Sequence, residues 1–285
     1  MSLMRRKREV EITRERVNYL KRKAKEMRKK IVTMIYEAQS GHPGGSLSAV
    51  ELVTVLYFDQ MRVNPNNPKS ENRDRFILSK GHACPVLYTA LAMKGFFPLE
   101  ELSTLRKFHS RLQGHPDMNK TPGVDMSSGS LGQGFSCAVG MAIAAKRDNR
   151  GLYVYVLVGD GECNEGQIWE AAQTAVKYRL DNLIVIVDNN NLQNDGPCEE
   201  IMPLLSLKDK FSAFGFYTVE IDGHNIEEII TTFEELKKIH GKPKCIIAKT
   251  VKGKGVSFME NVVEWHGKAP NEQQYEQAIK EIEGA

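Results

Sequence analysis

No C-x-x-C pair occurs among the five cysteines (Cys84, Cys137, Cys163, Cys198, Cys245), and no secretory signal or membrane-length apolar run is present. A reduced, cytoplasmic setting without a membrane partner is the expectation. Two nucleotide signatures are also missing. There is neither a Walker A glycine-lysine-serine segment nor a G-x-G-x-x-G fingerprint at a strand-helix turn, so ATP and NAD are disfavoured. The 285 residues show no linker and no shift in composition, and 41% of them are hydrophobic. That is enough apolar material for one large α/β domain over 1–285. Residues 1–30 carry thirteen lysines and arginines against four glutamates, in a chain whose net charge is only +3. No aromatic interleaving there suggests base stacking, whereas Val17, Leu20, Ala24, Met27 and Ile31 keep a 3.6-residue apolar stripe. The expectation is a basic N-terminal helix that runs on to Ala38, with nucleic acid not among its partners.

What the chain does contain is organised around residues 152–196. Positions 152–158 form a continuous apolar, β-branched and aromatic run with the length of a buried parallel strand, and it stops at Gly159-Asp160-Gly161. Ile168, Ala171, Ala172, Ala175 and Val176 then recur at helical spacing, and 183–187 read as a second buried strand that ends in Asp188-Asn189-Asn190-Asn191. Together these make one βαβ unit. Ligands of open parallel sheets sit beyond the carboxyl ends of the strands, which places Asp160 and Asn190 side by side where chemistry is expected. A carboxylate, an amide oxygen and a nearby backbone carbonyl are hard donors suited to Mg²⁺. Gly161 and the helix start after it would offer N–H groups to phosphate. The inferred ligand is a magnesium diphosphate, with Ca²⁺ or Mn²⁺ as alternative cations. A lone Gly-Asp-Gly is more often a plain turn. What raises it above that is its place at a strand end, 27 residues from the Asn pair.

Elsewhere helices and strands alternate. Residues 41–46 read as a rigid turn displaying His42 ahead of a helix over 47–58, and 74–79 as a short strand leading through Lys80-Gly81-His82 into another helix. Residues 106–125 have few apolar positions and read as a surface loop that carries His109 and His115. A glycine-rich turn at 129–134 opens an Ala- and Gly-rich helix over 135–146, whose small residues imply close backbone packing or a ligand lying on the backbone. Helices over 211–214 and 226–240 alternate with strands over 217–221 and 244–250, and Lys252-Gly253-Lys254-Gly255 reads as a solvated basic loop. This is the α/β pattern of a doubly wound, mostly parallel sheet with helices on both faces.

The Gly-Asp-Gly, the spacer and the Asn pair together resemble the thiamine diphosphate motif, and GDGECNEGQIWEAA is similar to its transketolase form. GHPGGSLS at 41–48, RFILSKGHA at 75–83, GHP at 114–116, SGSLGQG at 128–134 and the His266-Gly267 pair extend the resemblance over most of the chain. The resemblance implies a thiamine-diphosphate-binding fold in which Asp160, Asn190 and the Leu192 carbonyl hold the metal and Gly161 the diphosphate. It implies that His82, Gly129, Ser130 and Leu131 line the cofactor, that His266 touches cofactor and sugar, and that His42 and His115 contact the sugar. Ser130 stands where proline is more frequent, and Lys80 where many relatives carry asparagine. Glu165 matches the family's interface glutamate.

In this family the glutamate that activates the cofactor lies on a second, pyrimidine-binding domain. The chain ends at Ala285, soon after His266, so the resemblance implies the N-terminal section of a split transketolase. A separate C-terminal chain would complete it, in a heterotetramer with two copies of each. The implied reaction is reversible transfer of a two-carbon ketol unit from a ketose phosphate such as xylulose 5-phosphate to an aldose phosphate such as ribose 5-phosphate, as in the pentose phosphate pathway. One alternative is a paralogous split ketol transferase acting on another sugar. A second is the α-subunit of a 2-oxoacid dehydrogenase, against which the histidines and the GHPGG segment argue, and a third is a non-catalytic binding subunit on the same fold.

Overall fold

A computed structural model describes residues 12–284, so the first eleven positions of the basic arm lie outside the described residues. Helix α1 (Arg14–Ala38) opens on Thr13, whose hydroxyl accepts the Arg16 N–H at 3.2 Å, and it stops where Gln39 turns left-handed. Val17, Leu20, Ala24, Met27 and Ile31 are all buried, while the basic side chains between them are exposed or half-buried. An apolar stripe therefore explains this helix, and most of its charge is a solvated face, while Arg16 and Arg28 turn inward to pair with Asp59 and Glu51.

Pro43 starts a short helix, α2 (Pro43–Leu47), in place of the expected rigid turn, because proline's fixed φ suits a first helical position; His42 becomes the N-cap residue. The helix expected over 47–58 is broken into the end of α2, then α3 (Val50–Val55), then a π-turn over Leu56–Gln60. Gly44 shows why the segment is rich in small residues. A Cβ there would stand 2.9 Å from the Trp265 carbonyl.

Five strands, β1 (Arg75–Leu78), β2 (Val154–Gly159), β3 (Leu183–Asn189), β4 (Tyr217–Asp222) and β5 (Lys244–Lys249), pair in parallel throughout in the order β1-β2-β3-β5-β4. Alternate side chains point to opposite faces of a sheet. Tyr155, Leu157, Ile184, Ile186 and Ile246 join one core with α1, α3, α4 (Cys84–Lys94) and α9 (Ile226–Leu236). Val154, Val156, Val158, Val185, Val187 and Ile247 join a second core with α5 (Gln133–Arg147), α6 (Gly166–Lys177) and α8 (Leu207–Phe214). Helices thus cover both faces, which is why the central strands are unbroken apolar runs and not alternating ones. A one-turn helix, α7 (Cys198–Ile201), follows β3, and α10 (Glu272–Gly284) closes the described chain.

Residues 106–125 are irregular, as expected, but are not a plain surface loop. Leu112, Thr121, Val124 and Asp125 are buried, and Asp125 accepts from Arg73 at 2.5 Å and from the Phe76 N–H at 2.8 Å. One buried ion pair and two apolar anchors are enough to fasten the segment to β1. The helix expected to reach residue 240 ends at Leu236, and α10 packs on the core through Tyr275, Ala278 and Ile282, which recur at helical spacing. Among the described residues no helix is long and apolar enough to cross a membrane.

Candidate functional site

Strands β2 and β3 are paired with Gly159 opposite Asp188, so their carboxyl ends finish level and the two following loops leave from neighbouring points. Asp160 comes directly after β2. One of its oxygens accepts the Gly161 N–H at 2.8 Å and the other accepts the Asn191 N–H at 2.5 Å, so this carboxylate ties the two loop tips together. The Asn190 side-chain oxygen accepts the Leu192 N–H at 3.2 Å, and its amide nitrogen donates to Asp188 at 3.4 Å. Asp160 is only 2% exposed. Burial, with the Asp188 carboxylate nearby, pushes its pKa up to about 6.

Asp188 is buried beneath the site and takes the Ser48 hydroxyl at 2.5 Å together with the Thr250 hydroxyl and the Lys80 ammonium. Burial alone would raise its pKa, but Lys80 and these hydrogen bonds outweigh it and hold the carboxyl below its usual range. Lys80 also donates to the Gly45 carbonyl at 2.8 Å, which joins α2 to the end of β3. A second buried carboxylate, Glu162, accepts from the Ser79 hydroxyl at 2.5 Å, the Gly132 N–H at 2.9 Å and the Gly159 N–H at 3.0 Å. It clamps the end of β1, the glycine-rich turn and the end of β2 to one another, and burial raises its pKa. Gly134 is required where α5 crosses β1, because a Cβ there would stand 2.7 Å from the Ser79 Cα.

Three histidines from distant segments converge beside these loops. Ring centres are 5.2 Å apart for His42 and His82, 5.4 Å for His42 and His266, and 5.0 Å for His82 and His266. Burial first, and then neighbouring cations, lowers their pKa values to about 4 for His42, about 2 for His82 and about 3 for His266. All three are neutral imidazoles at pH 7. His115 lies against Gly129, 3.1 Å from where a Cβ would stand, and burial lowers its pKa as well.

Lys252 corrects the expectation of a solvated basic loop. It is 2% exposed, and its ammonium donates to the carbonyls of Leu192 at 3.2 Å and Gln193 at 3.0 Å and to His266 Nδ1 at 2.9 Å. Burial lowers its pKa to about 8. Lys252 follows β5 at the carboxyl edge of the sheet, much as Asp160 follows β2. That position was the signal available in the sequence. Lys80, Asp188 and Glu162 also sit at strand carboxyl ends, but the partners that give them their roles are remote in the chain.

These groups surround a cavity of about 310 Å³. Of the residues expected in the site, Asp160, Gly161, Asn190, Leu192, His82, His266, Gly129 and Leu131 all face it. His42 stands one ring behind it, and His115 lies behind Gly129. Ser130 does not face the cavity: the chain bends at Gly129 and Gly132, both at positive φ, and the side chain between them is exposed. His109 lies away at the surface, its ring 3.9 Å from that of Phe108. Glu165 is exposed at the start of α6, and Cys163 is a buried thiol whose pKa burial pushes well up, unsuited to thiolate chemistry.

The donor set fits a hard cation and an oxyanion held together. Among the described residues no group of three or more His, Cys, Asp and Glu forms a metal site. A cation here would rest instead on one carboxylate together with the amide and carbonyl oxygens of Asn190 and Leu192. Facing them are the Lys252 ammonium and the Gln193 amide nitrogen, which is buried without a partner. A fixed positive charge and one unmatched amide group suit phosphate oxygens.

Residues 20–284 match the family model described as transketolase, thiamine diphosphate binding domain. The chain is 46% identical over 266 residues to one of the subunits of the apulose-4-phosphate transketolase of Phocaeicola vulgatus, covering 93% of this chain and 94% of that protein. It is 47% identical over 264 residues to the 6-deoxy-6-sulfo-D-fructose transketolase subunit SqwG of a Clostridium species, covering 93% and 96%. The transketolase of Homo sapiens is 40% identical over 269 residues, covering 94% of this chain but 42% of that protein. The crystal structure of transketolase from Campylobacter jejuni superimposes with a TM-score of 0.88 at 36% identity, covering 94% of this chain and 43% of that one. The chain therefore spans nearly the whole of the two single-subunit relatives and about two fifths of the longer transketolases.

Proposed function

The chain belongs to the transketolase family through its thiamine diphosphate binding domain, and from that premise we propose that it is the cofactor-binding subunit of a two-chain ketol transferase. The observation that carries this reading is the shared cavity in which Asp160 and Asn190 face Lys252 and His82. Asp160, Asn190 and the Leu192 carbonyl hold a divalent cation, Mg²⁺ by the hardness of the donors, with Ca²⁺ or Mn²⁺ as substitutes. Gly161, His82 and Lys252 receive the diphosphate, and Gly129 and Leu131 line the rings. Bound thiamine diphosphate supplies the carbanion chemistry that breaks and remakes a carbon–carbon bond beside a ketose carbonyl. The protein holds the cofactor, excludes water, and uses His42, His115 and His266 to bind sugar oxygens. Neutral imidazoles suit that task because each carries one donor and one acceptor.

A second chain with a pyrimidine-binding domain supplies the activating glutamate and most contacts to the sugar's terminal anion, in a two-plus-two assembly with Glu165 at the contact. Two relatives named as subunits, each matched almost end to end, support a partner of this kind. The names of those relatives also favour a second reading of the substrate. They specify apulose 4-phosphate and 6-deoxy-6-sulfo-D-fructose, so a ketose outside the pentose phosphate pathway stands beside xylulose 5-phosphate as the donor. All three sugars end in an anion, and the donor is taken to be a ketose of that class. The test is to combine the chain with its partner, thiamine diphosphate and Mg²⁺, and to screen phosphorylated and sulfonated ketoses, with pyruvate as a control, against ribose 5-phosphate as acceptor. Ketol transfer that depends on both additions is expected. Its absence with every ketose, or turnover of pyruvate alone, overturns the reading.

A further inference from the structure

Arg106 occupies a costly position for an arginine. Its backbone is left-handed, with φ 58°, and its N–H donates to the Leu112 carbonyl at 2.7 Å. A residue with a Cβ enters that region at a cost in strain. Its guanidinium donates to the Ser40 hydroxyl at 3.0 Å and to His42 Nδ1 at 3.3 Å, and its Nε is buried without a partner. The same group lies flat on Gly114, where a Cβ would stand 3.0 Å from the guanidinium carbon. One side chain thus joins the two Gly-His-Pro segments, 41–43 and 114–116. Among the described residues no carboxylate offsets its strain and its orphaned donor, so an ordinary structural ion pair does not account for it.

A guanidinium donates only, and it stays protonated at any workable pH. The ring nitrogen that it meets on His42 must therefore be an acceptor, which leaves the single imidazole proton on Nε2. That edge of the ring lies beside Gly267, next to His266 in the chain. We propose that Arg106 is a positioning residue that fixes His42 as the neutral Nε2–H tautomer, so that His42 offers the sugar a hydrogen-bond donor and not a base. A neutral N–H held in one direction suits an oxygen that gains negative charge, such as a ketose carbonyl oxygen under attack. The low pKa of His42 agrees with this, since burial first and then Arg106 disfavour a second proton on the same ring. The identity of the ligand rests on the function proposed above, whereas the tautomer is a property of the chain itself.

The test is a long-range proton–nitrogen correlation spectrum of the imidazoles in the ¹⁵N-labelled full-length chain, with His42 assigned through His42→Gln. In the unaltered protein the Nε2–H form is expected to exceed the other by roughly tenfold or more, the bias of one charge-assisted hydrogen bond. In Arg106→Met that ratio falls toward the value of free imidazole, and in Arg106→Lys, which keeps a cationic donor, part of it returns. In the two-chain enzyme Arg106→Met lowers kcat more than it raises KM, and Arg106→Lys recovers part of kcat. A proton on Nδ1 in the unaltered protein, or the same tautomer ratio in Arg106→Met, overturns the proposal. Should Arg106→Met fail to fold, the spectra of the unaltered protein and of Arg106→Lys decide. A chain that proves inactive on every sugar still yields the tautomer, so failure of this inference is distinguishable from failure of the function.

Discussion

Replacing Asp160 with asparagine separates its effect on stability from its proposed part in holding a cation. Its carboxyl titrates near pH 6 in the fold, against 3.8 without the fold's influence, a gap worth roughly 3 kcal/mol. The sign is unfavourable at neutral pH. Between about pH 4 and 6 the unfolded chain ionises while the folded chain still holds its proton, so stability is lost as pH rises, and above pH 6 the loss is complete. Asparagine escapes that penalty but has its own cost. The Gly161 and Asn191 N–H groups each meet one oxygen of Asp160, and an amide offers only one, which leaves a donor unmatched at about 1–2 kcal/mol. Asp160→Asn is therefore expected to be the more stable form by about 1–2 kcal/mol at pH 8, and to lose that advantage near pH 5, where about half of the penalty remains. Urea unfolding followed by circular dichroism, in buffers free of divalent cations, reads both values. Adding Mg²⁺ and thiamine diphosphate then reverses the order, because only the unaltered chain gains stability by mass action. A variant that is less stable at pH 8 and follows the same pH profile as the unaltered chain would refute the claim that a buried, ionised Asp160 is the unfavourable feature of the ligand-free site.

Three further outcomes follow from the same geometry. His42, His82 and His266 stay neutral in the fold, so the unfolded chain alone takes up protons below pH 6.5, and stability should fall as pH drops from 6.5 toward 4; unfolding midpoints for His82→Asn should show a shallower slope, and an unchanged slope counts against the burial argument. Lys252→Met removes the donor from the Leu192 and Gln193 carbonyls and one cation from the cavity, and thiamine diphosphate affinity measured by calorimetry should drop by about tenfold or more; equal affinity would place the diphosphate elsewhere. Gly134→Ala sets a methyl 2.7 Å from the Ser79 Cα, backbone against backbone, and should cost about 1–3 kcal/mol in urea unfolding, where a neutral result would mean that α5 and β1 can separate freely.

The sequence by itself determined the alternation of strands and helices and the two loops that meet at the site. Residues 154–158 and 183–187 are apolar and largely β-branched at every position, a pattern that in runs this short fits a strand covered on both faces, and the loops that follow such parallel strands leave at the same edge. Asp160 and Asn190 were legible for that reason. The histidines were legible only as a resemblance, since no local pattern tells a histidine in a Gly-Pro turn from a solvated one. The tertiary structure alone decided the rest of the pocket. Lys80 finds Asp188 across 108 residues, Lys252 finds the Leu192 carbonyl across 60, and Arg106 finds His42 across 64. Position after a strand marks Lys80 and Lys252 in the sequence, but nothing local tells which partner each of these groups will meet. Desolvation and the partner that meets each one inside the fold turn them into parts of one site, and both exist only once distant segments have packed together.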